Sequence, residues 1–516
     1  MFRKLLSLLL AVLLLCCATA VLADEPKKLT NTDGFVYIIK DDDSAEIVGY
    51  TGQQSQIDIP AAIDGHPVSS LGRTAFSAIS TLQELHIPGN VKSIGFRCFE
   101  FCDNLKTVSI DEGVEKIELG AFYGCSKLEN INIPNSAVLI KSEAFSFCDK
   151  LETISLPADH PELELIDGVL FSRSEKKLLW YPYLRKDKVY TVPEGTLCIG
   201  EFAISSKYIE KVILPDSLTK LESNALCGPK LKEFNIPPLV TEIYIDDIVS
   251  MDRITVDEKN EVFESIDGVL FNKATHKLVA YPKALKAKEY SVPEETEIIG
   301  SNAFYANPTL VKIQLPGSVR EVESNAFFGA KKLKTVFFSE GLTSLSGIAF
   351  QHCGNLTEVN IPYSLTEIDG NPFVGCTKLK ELNIPEDHSR FTIMDSTLVD
   401  KEKMVLLWYP LASKAKSFRV PEGIKVIGSG AFSGCKSLNE VIIPEGVEKL
   451  EWSCFSDARK IKRFVLPASL TEIDKTAFDA TFNNKAAMID ATYVVVRGSY
   501  AENFCQSYEM TIEYAE

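Results

Sequence analysis

An isoleucine-proline or leucine-proline pair recurs along the chain, mostly every 22 or 23 residues, from Pro60 and Pro88 through Pro134, Pro157, Pro193, Pro215 and Pro237 to Pro421, Pro444 and Pro467. Two 46-residue gaps are doubled repeats in which Asp111 and Ser339 replace the middle proline. A fixed period of this length marks a stacked repeat, in which each unit is one supersecondary element that meets only its neighbours. The copy from Glu112 to Pro134 has apolar residues at Val114, Ile117, Ala121, Phe122, Cys125, Leu128, Ile131 and Ile133. The alternation of Ile131 and Ile133 is that of a strand, and the spacing of Val114, Ile117 and Ala121 predicts a turn and a short helical segment. One such coil buries too little to offset the entropy of ordering its backbone, so neighbouring coils must cover each other's apolar faces and pair their strands. Sixteen steps separate Pro60 from Pro467, an array of ~75 Å at ~4.8 Å per strand spacing. No Pro/Gly/Ser-rich linker breaks the repeats.

Three steps are 36 residues long and share a second pattern: IDGVLFSRSEKKLLWYP at 166–182, IDGVLFNKATHKLVAYP at 266–282 and MDSTLVDKEKMVLLWYP at 394–410. Two apolar strands flanking a polar turn predict a hairpin in each. Ser396 replaces Gly168 and Gly268, which leaves the first turn of the third copy open to a different backbone angle. The weakest coil is expected between Pro237 and Asp257, where Ile245-Asp246-Asp247-Ile248 stands in place of the usual Gly-x-x-Ala-Phe element.

Composition excludes some classes of function. With 54 Lys and Arg against 71 Asp and Glu, the formal charge is −17 and a polyanion is repelled, so nucleic acid is not an expected partner. Arg3 and Lys4, the apolar run Leu5 to Leu15 and the small-residue site Val21-Leu22-Ala23 have the layout of a secretory signal peptide at 1–23. Lipid attachment at Cys16 or Cys17 is disfavoured by Leu15, which stands where a small residue is expected. No later apolar run is long enough to predict a transmembrane segment in the mature chain. Removing Cys16 and Cys17 from 13 cysteines leaves 11, an odd number. Cys102, Cys125 and Cys148 lie 23 residues apart, as do Cys353 and Cys376, which predicts one buried structural position occupied by reduced thiols. The six histidines (His66, His86, His160, His276, His352 and His388) are scattered and no CxxC pair occurs, so no metal site is expected.

These residues resemble the BspA-type leucine-rich repeat, whose unit reads approximately V-x-x-I-G-x-x-A-F-x-x-C-x-x-L-x-x-I-x-I-P. VIGSGAFSGCKSLNEVIIP (426–444) and EIDGNPFVGCTKLKELNIP (367–385) follow it nearly throughout. The segments GFVYIIKDDDSAEIVGYTG (34–52) and VVRGSYAENF (495–504) resemble its terminal caps. The resemblance implies a β-rich leucine-rich-repeat solenoid of stacked 22–23-residue coils with short helical turns and three inserted β-hairpins. It also implies secreted or surface-attached proteins, some of which bind host matrix proteins or cells. The ending SYEMTIEYAE shows no sorting motif or apolar tail, which leaves both release and attachment by another route. The expected organisation is a signal peptide at 1–23, an N-terminal β cap at 24–66, the solenoid at 67–480 and a C-terminal cap at 481–516.

Secreted polysaccharide lyases built as parallel β-helices are the rival class, and they need acidic and basic groups gathered on one face. The exposed strand column reads His86, Ser109, Asn132, Ser155, Ile213, Asn235, Gln314, Phe337, Asn360, Asn383, Ile442 and Val465, without a carboxylate. There is no nucleophile elbow, zinc-binding HExxH, phosphate-binding loop or calcium loop. Asp41-Asp42-Asp43 reads as a solvated turn, His86 as a solitary strand histidine, and the phenylalanines of the Ala-Phe positions as core. Trp180-Tyr181 and Trp408-Tyr409 are expected to pack inward. Ile442 and Val465 mark either a contact surface or a patch capped by Tyr493-Val494-Val495-Val496. The expected function is a non-enzymatic secreted or surface-associated adhesion-type scaffold for an extracellular protein or glycan. It has no catalytic, cofactor-binding or metal residues and no cofactor; the alternative is a carbohydrate-binding or carbohydrate-active β-solenoid.

Overall fold

The protein is described by a computed structural model covering residues 27–244, 251–480 and 488–515. The signal peptide expected at 1–23 and the Ile245–Ile248 stretch lie outside these residues. The chain divides into two compact units: Met1–Lys188 with Gly195–Ile209 and Lys220–Gly228, and Val189–Glu194 with Glu210–Thr219 and Pro229–Glu516. Both are built of stacked β-coils. No helix of the described residues is long and apolar enough to cross a membrane.

In the first unit, Leu29–Thr30, Phe35–Ile39 and Ala45–Tyr50 form an antiparallel start. Two parallel ladders then run along the coils. One comprises His66–Leu71, Ser93–Ile94, Lys116–Ile117 and Leu139–Ile140, the other Gln56–Asp58, Glu84–Ile87, Thr107–Ile110 and Asn130–Ile131. Strand residues alternate between buried and exposed, so Leu85, Val108, Ile94 and Ile117 meet inside. Between the ladders the rings of Phe76, Phe99, Phe122 and Phe145 stack at centroid distances of 5.0, 5.3 and 6.1 Å. The second unit repeats this with Phe304, Phe327, Phe350 and Phe373 at 4.7, 4.7 and 5.8 Å.

Where proline follows a strand it ends it, because it starts a turn and has no N–H to give the ladder. The Pro88 and Pro134 carbonyls accept from Val91 and Ala137, three residues on. Where proline is missing the N–H joins the ladder, from Asp111 to the Ile87 carbonyl and from Ser339 to that of Leu315.

The expected short helical turns do not form as helix; the helix of the described residues is Tyr500–Ser507, capped by Ser499. Backbone donors at these turns are divided between two acceptors. Arg97, Phe99 and Phe101 donate to Leu119, Ala121 and Tyr123 of the next coil, while Cys98, Glu100 and Cys102 donate back three residues within their own. Half the donors therefore leave the segment, and no i to i+4 ladder can build. Arg97 and Phe101 take left-handed angles (φ 49° and 55°), which turns the alternate amides outward.

Each 36-residue step folds as three antiparallel strands, one more than the expected hairpin: Leu163–Ile166, Val169–Ser172 and Lys177–Trp180 in the first, and Phe391–Met394, Thr397–Asp400 and Val405–Trp408 in the third. Asp395 and Ser396 keep the doubly left-handed turn (φ 44° and 68°) of Asp167-Gly168 (49° and 74°), so the sequence difference does not alter the backbone. Trp180, Tyr181, Trp408 and Tyr409 are all buried. The strand Thr492–Val495 pairs in register with Arg463–Val465 and places Val494 beside Val465, so it extends the Ile442–Val465 column as another rung.

The 11 described cysteines are free, and nine are buried. The thiols of Cys102, Cys125 and Cys148 donate to the carbonyls of Phe76, Phe99 and Phe122 at 3.1–3.2 Å. Burial pushes the pKa of Cys102 up to about 12. These thiols should resist alkylation in the native protein and react after unfolding, as mass spectrometry will read; native labelling would contradict their burial. Ser396→Gly should raise stability by about 1 kcal/mol by relieving the left-handed penalty, seen as a higher melting temperature.

Candidate functional site

His86, expected to stand alone, is flanked by carboxylates. Asp58 is its partner on the preceding strand. Its Nδ1 lies 3.6 Å from Asp58 and its Nε2 3.0 Å from Asp111. The spacing of proline pairs hid this, because Asp58 precedes the first regular coil and Asp111 occupies a proline position. Both carboxylates face water, at 72% and 51% exposure, so this is a solvated surface ion-pair row, an arrangement that contributes little to stability. In the Asp41–Asp43 turn the Ser44 hydroxyl and amide hold Asp42 below its ordinary pKa. Among the described residues no group of three His, Cys, Asp or Glu is placed to hold a metal.

The strand column offers fewer free polar groups than its composition suggests. Asn132 binds both the N–H and carbonyl of Ile110, at 2.8 and 2.6 Å, and Asn360 does the same to Phe338 at 2.8 and 2.7 Å. Their amides tie coils together.

His160 and His388 are buried at the starts of the first and third inserts. Each Nδ1 accepts two backbone N–H groups, from Glu162 and Leu163 in one case and Arg390 and Phe391 in the other. Each Nε2 must then carry the proton and donate to a proline carbonyl, Pro134 at 3.1 Å or Pro362 at 3.0 Å. In the second insert Asn260 makes the same connections: its amide nitrogen donates to Pro237 and its oxygen accepts from Val262 and Phe263. Burial lowers the pKa of both histidines, with Arg173 acting the same way on His160 and Lys401 on His388. Glu112 and Glu162 oppose it at His160, and Glu340 and Asp387 at His388.

The surface that departs most from its scaffold is the turn edge of the first unit. Most coils have two left-handed turn positions, and at the second of them Gly124, Gly329, Gly375 and Gly434 are the residues with least strain. In the first unit this column instead holds Phe101 (φ 55°) and Phe147 (φ 59°) around Gly124. Both rings are exposed, at 49% and 41%. A Cβ on Gly124 would sit 2.5 Å from Phe101 Cδ1, so the ring lies across the glycine. The row continues from Phe101 to Tyr123 at 5.6 Å, to Phe147 at 5.1 Å and to Phe202 at 5.8 Å. The Arg97 guanidinium lies 4.8 Å from the Tyr123 ring centre, and that of Arg73 lies 4.4 Å from the Phe96 ring centre. Glu100 and the buried Glu143 brace Arg97. A bulky side chain in a left-handed conformation, yielding little burial, is a feature of recognition surfaces; aromatic rings beside a fixed arginine are the residue types that dominate binding.

Comparison with known proteins adds the following. The pattern described as BspA type Leucine rich repeat region (6 copies) matches four stretches, residues 50–177, 187–275, 277–394 and 411–513. A leucine-rich cell surface protein from Faecalibacterium prausnitzii is 22% identical over 93% of this chain and 97% of its own, with a TM-score of 0.37. The pneumococcal vaccine antigen PcpA is 19% identical over 95% and 99%, with a TM-score of 0.33. A leucine-rich repeat protein from Eubacterium ventriosum is 18% identical over 90% and 92%, with a TM-score of 0.31. No curated protein matches the chain.

The buried histidines make stability depend on pH. Their folded pKa lies below the ordinary value of about 6.5, so below that pH the unfolded chain binds more protons. Their contribution is therefore complete above about pH 6.5 and is lost as pH falls. The double substitution His160→Asn and His388→Asn, which copies the carboxamide of Asn260 into the other two inserts, should flatten the fall in melting temperature between about pH 7 and 5; an unchanged slope would count against the neutral anchors.

Proposed function

The chain belongs to the BspA-type leucine-rich repeat family, and from that premise we propose that it is a secreted or surface-associated, non-enzymatic scaffold that binds an extracellular protein in an adhesion-type role. The observation that carries this reading is the Phe101–Tyr123–Phe147–Phe202 row, in which the exposed Phe101 and Phe147 rings stand at left-handed positions that other coils fill with glycine. The signal-peptide layout at 1–23 supports export. In this reading residues 24–66 and 481–516 act as caps and 67–480 carry the coils. The repeats hold each ring one strand spacing from the next, so a partner meets a row whose order is already fixed and loses less entropy on docking.

Phe101→Gly and Phe147→Gly separate binding from folding. Relief of the left-handed penalty, about 1–2 kcal/mol, roughly offsets the lost ring contact of about 0.5–1.5 kcal/mol and the entropy of glycine. The melting temperature should therefore stay within a few degrees. Retention on an array of immobilised matrix proteins should fall by at least about tenfold, the loss of 1.4 kcal/mol or more expected at a hot spot. Undiminished retention would reject the row as the contact surface.

A further inference from the structure

The same turn edge in the second unit is hollow where that of the first unit is raised. Its left-handed column runs His352, Gly375, Gly434 and Asp457 on successive coils, with φ of 62°, 74°, 76° and 56°. Gly375 and Gly434 are 59 residues apart in sequence because the third insert lies between them. Their coils are nonetheless neighbours, as the Asn371 amide donating to the Gly430 carbonyl at 2.9 Å shows. A Cβ on Gly375 would sit 2.6 Å from His352 Nδ1, whereas one on Gly434 would meet nothing within 4 Å. The open Gly434, next to a Gly375 that the His352 ring overlies, leaves a notch of about 530 Å³, within the range of small-molecule sites. His352 and Phe328, in edge contact at 5.4 Å, wall one side, and Asp457 and Arg459 the other.

The lining has a definite chemistry. Gln351 and Ser433 are only 6% and 2% exposed, yet no hydrogen bond is made by their side chains among the described residues. Their polar atoms are not sealed from solvent, so they can exchange water for a ligand's hydroxyls. Lys436 borders the notch and Lys331 the adjoining hollow beside Phe328 and His352, and neither ammonium has an ion-pair partner among the described residues. Arg459 is shared with Asp457 at 3.0 Å. Against a chain charge of −17, these three cations and one carboxylate make a locally positive spot.

We propose that the notch binds a single carboxylate-bearing sugar residue, of the sialic or uronic acid type. The Lys436 ammonium takes the carboxylate, Gln351 and Ser433 take ring hydroxyls, and the Phe328 ring takes the apolar face. A neutral sugar leaves the cations without a counter-charge, and a simple anion leaves the amide, hydroxyl and ring unused. The site is separate from the aromatic row of the first unit and does not depend on the protein-binding reading.

Saturation-transfer NMR and calorimetry on the mature chain, with N-acetylneuraminic acid and glucuronic acid as probes, test this directly. At least one acid should bind about tenfold more tightly than galactose, N-acetylglucosamine, acetate or phosphate, since one charge-assisted contact is worth about that much. Lys436→Glu and Gln351→Leu should each weaken the acid by about fivefold or more at unchanged melting temperature, while Lys116→Glu on the first unit leaves it unaltered. Gly434→Asn, a residue tolerated at left-handed angles, should block the notch without unfolding the coil. Binding of neither acid, equal binding of acetate or phosphate, or insensitivity to all three notch variants would overturn the proposal.

Discussion

Backbone hydrogen bonding between a residue and its counterpart one coil later organises the rest of the molecule. Lys106 donates to Gln83, Glu129 to Lys106, Lys334 to Val311 and Thr357 to Lys334, one coil at a time. Once that register holds, every position of the repeat becomes a column, and each column has one environment. The Ala-Phe column stacks its rings in the core, the cysteine column hands its S–H to a carbonyl, and the turn columns face water. Packing energy is collected only where columns match, which is why the buried positions are so uniform and the turn positions so varied.

Much of this architecture was legible in the sequence. The proline spacing located the coils, and the recurrence of Phe122, Phe145 and Cys125 located the core, because an apolar residue repeated at one period has no other way to be buried. Both side chains of each Trp-Tyr pair are buried, as expected, although strand alternation by itself accounts for only one of them; the chain's path through the insert covers the other. The turns were less legible. Val114, Ile117 and Ala121 have helix-like spacing, but spacing is silent about whether an amide bonds within its own coil or to the next. Glycines at 120, 124, 430 and 434, bracketing Ala-Phe, carried the missing signal of left-handed backbone. It was masked wherever Phe101, Phe147 or His352 occupies the same angle. His86 was misread for a different reason: its two carboxylate neighbours come from positions outside the strict repeat.

The buried anchors of the inserts show how one geometric demand accepts two chemistries. A proline carbonyl needs a donor, and two amides a few residues on need an acceptor at a fixed distance. Neutral imidazole meets both in the first and third inserts, through His160 and His388, and the carboxamide of Asn260 meets both in the second. Only the imidazole has a second protonation state, so the choice between them sets acid sensitivity without changing the fold.

The third insert also bears on how the second unit reaches its native state. Neighbouring coils such as those joined by Lys378 and Asn355 close a span of 23 residues, but the contact from Asn371 to Gly430 closes 59. By chain statistics the longer closure costs about 0.8 kcal/mol more, and the three strands of the insert must form before the next coil has an edge to dock on. A zipper that advances coil by coil therefore pauses here. Folding of the coils beyond Gly430 would then start as an event of its own, so the insert acts as punctuation in time as well as in sequence.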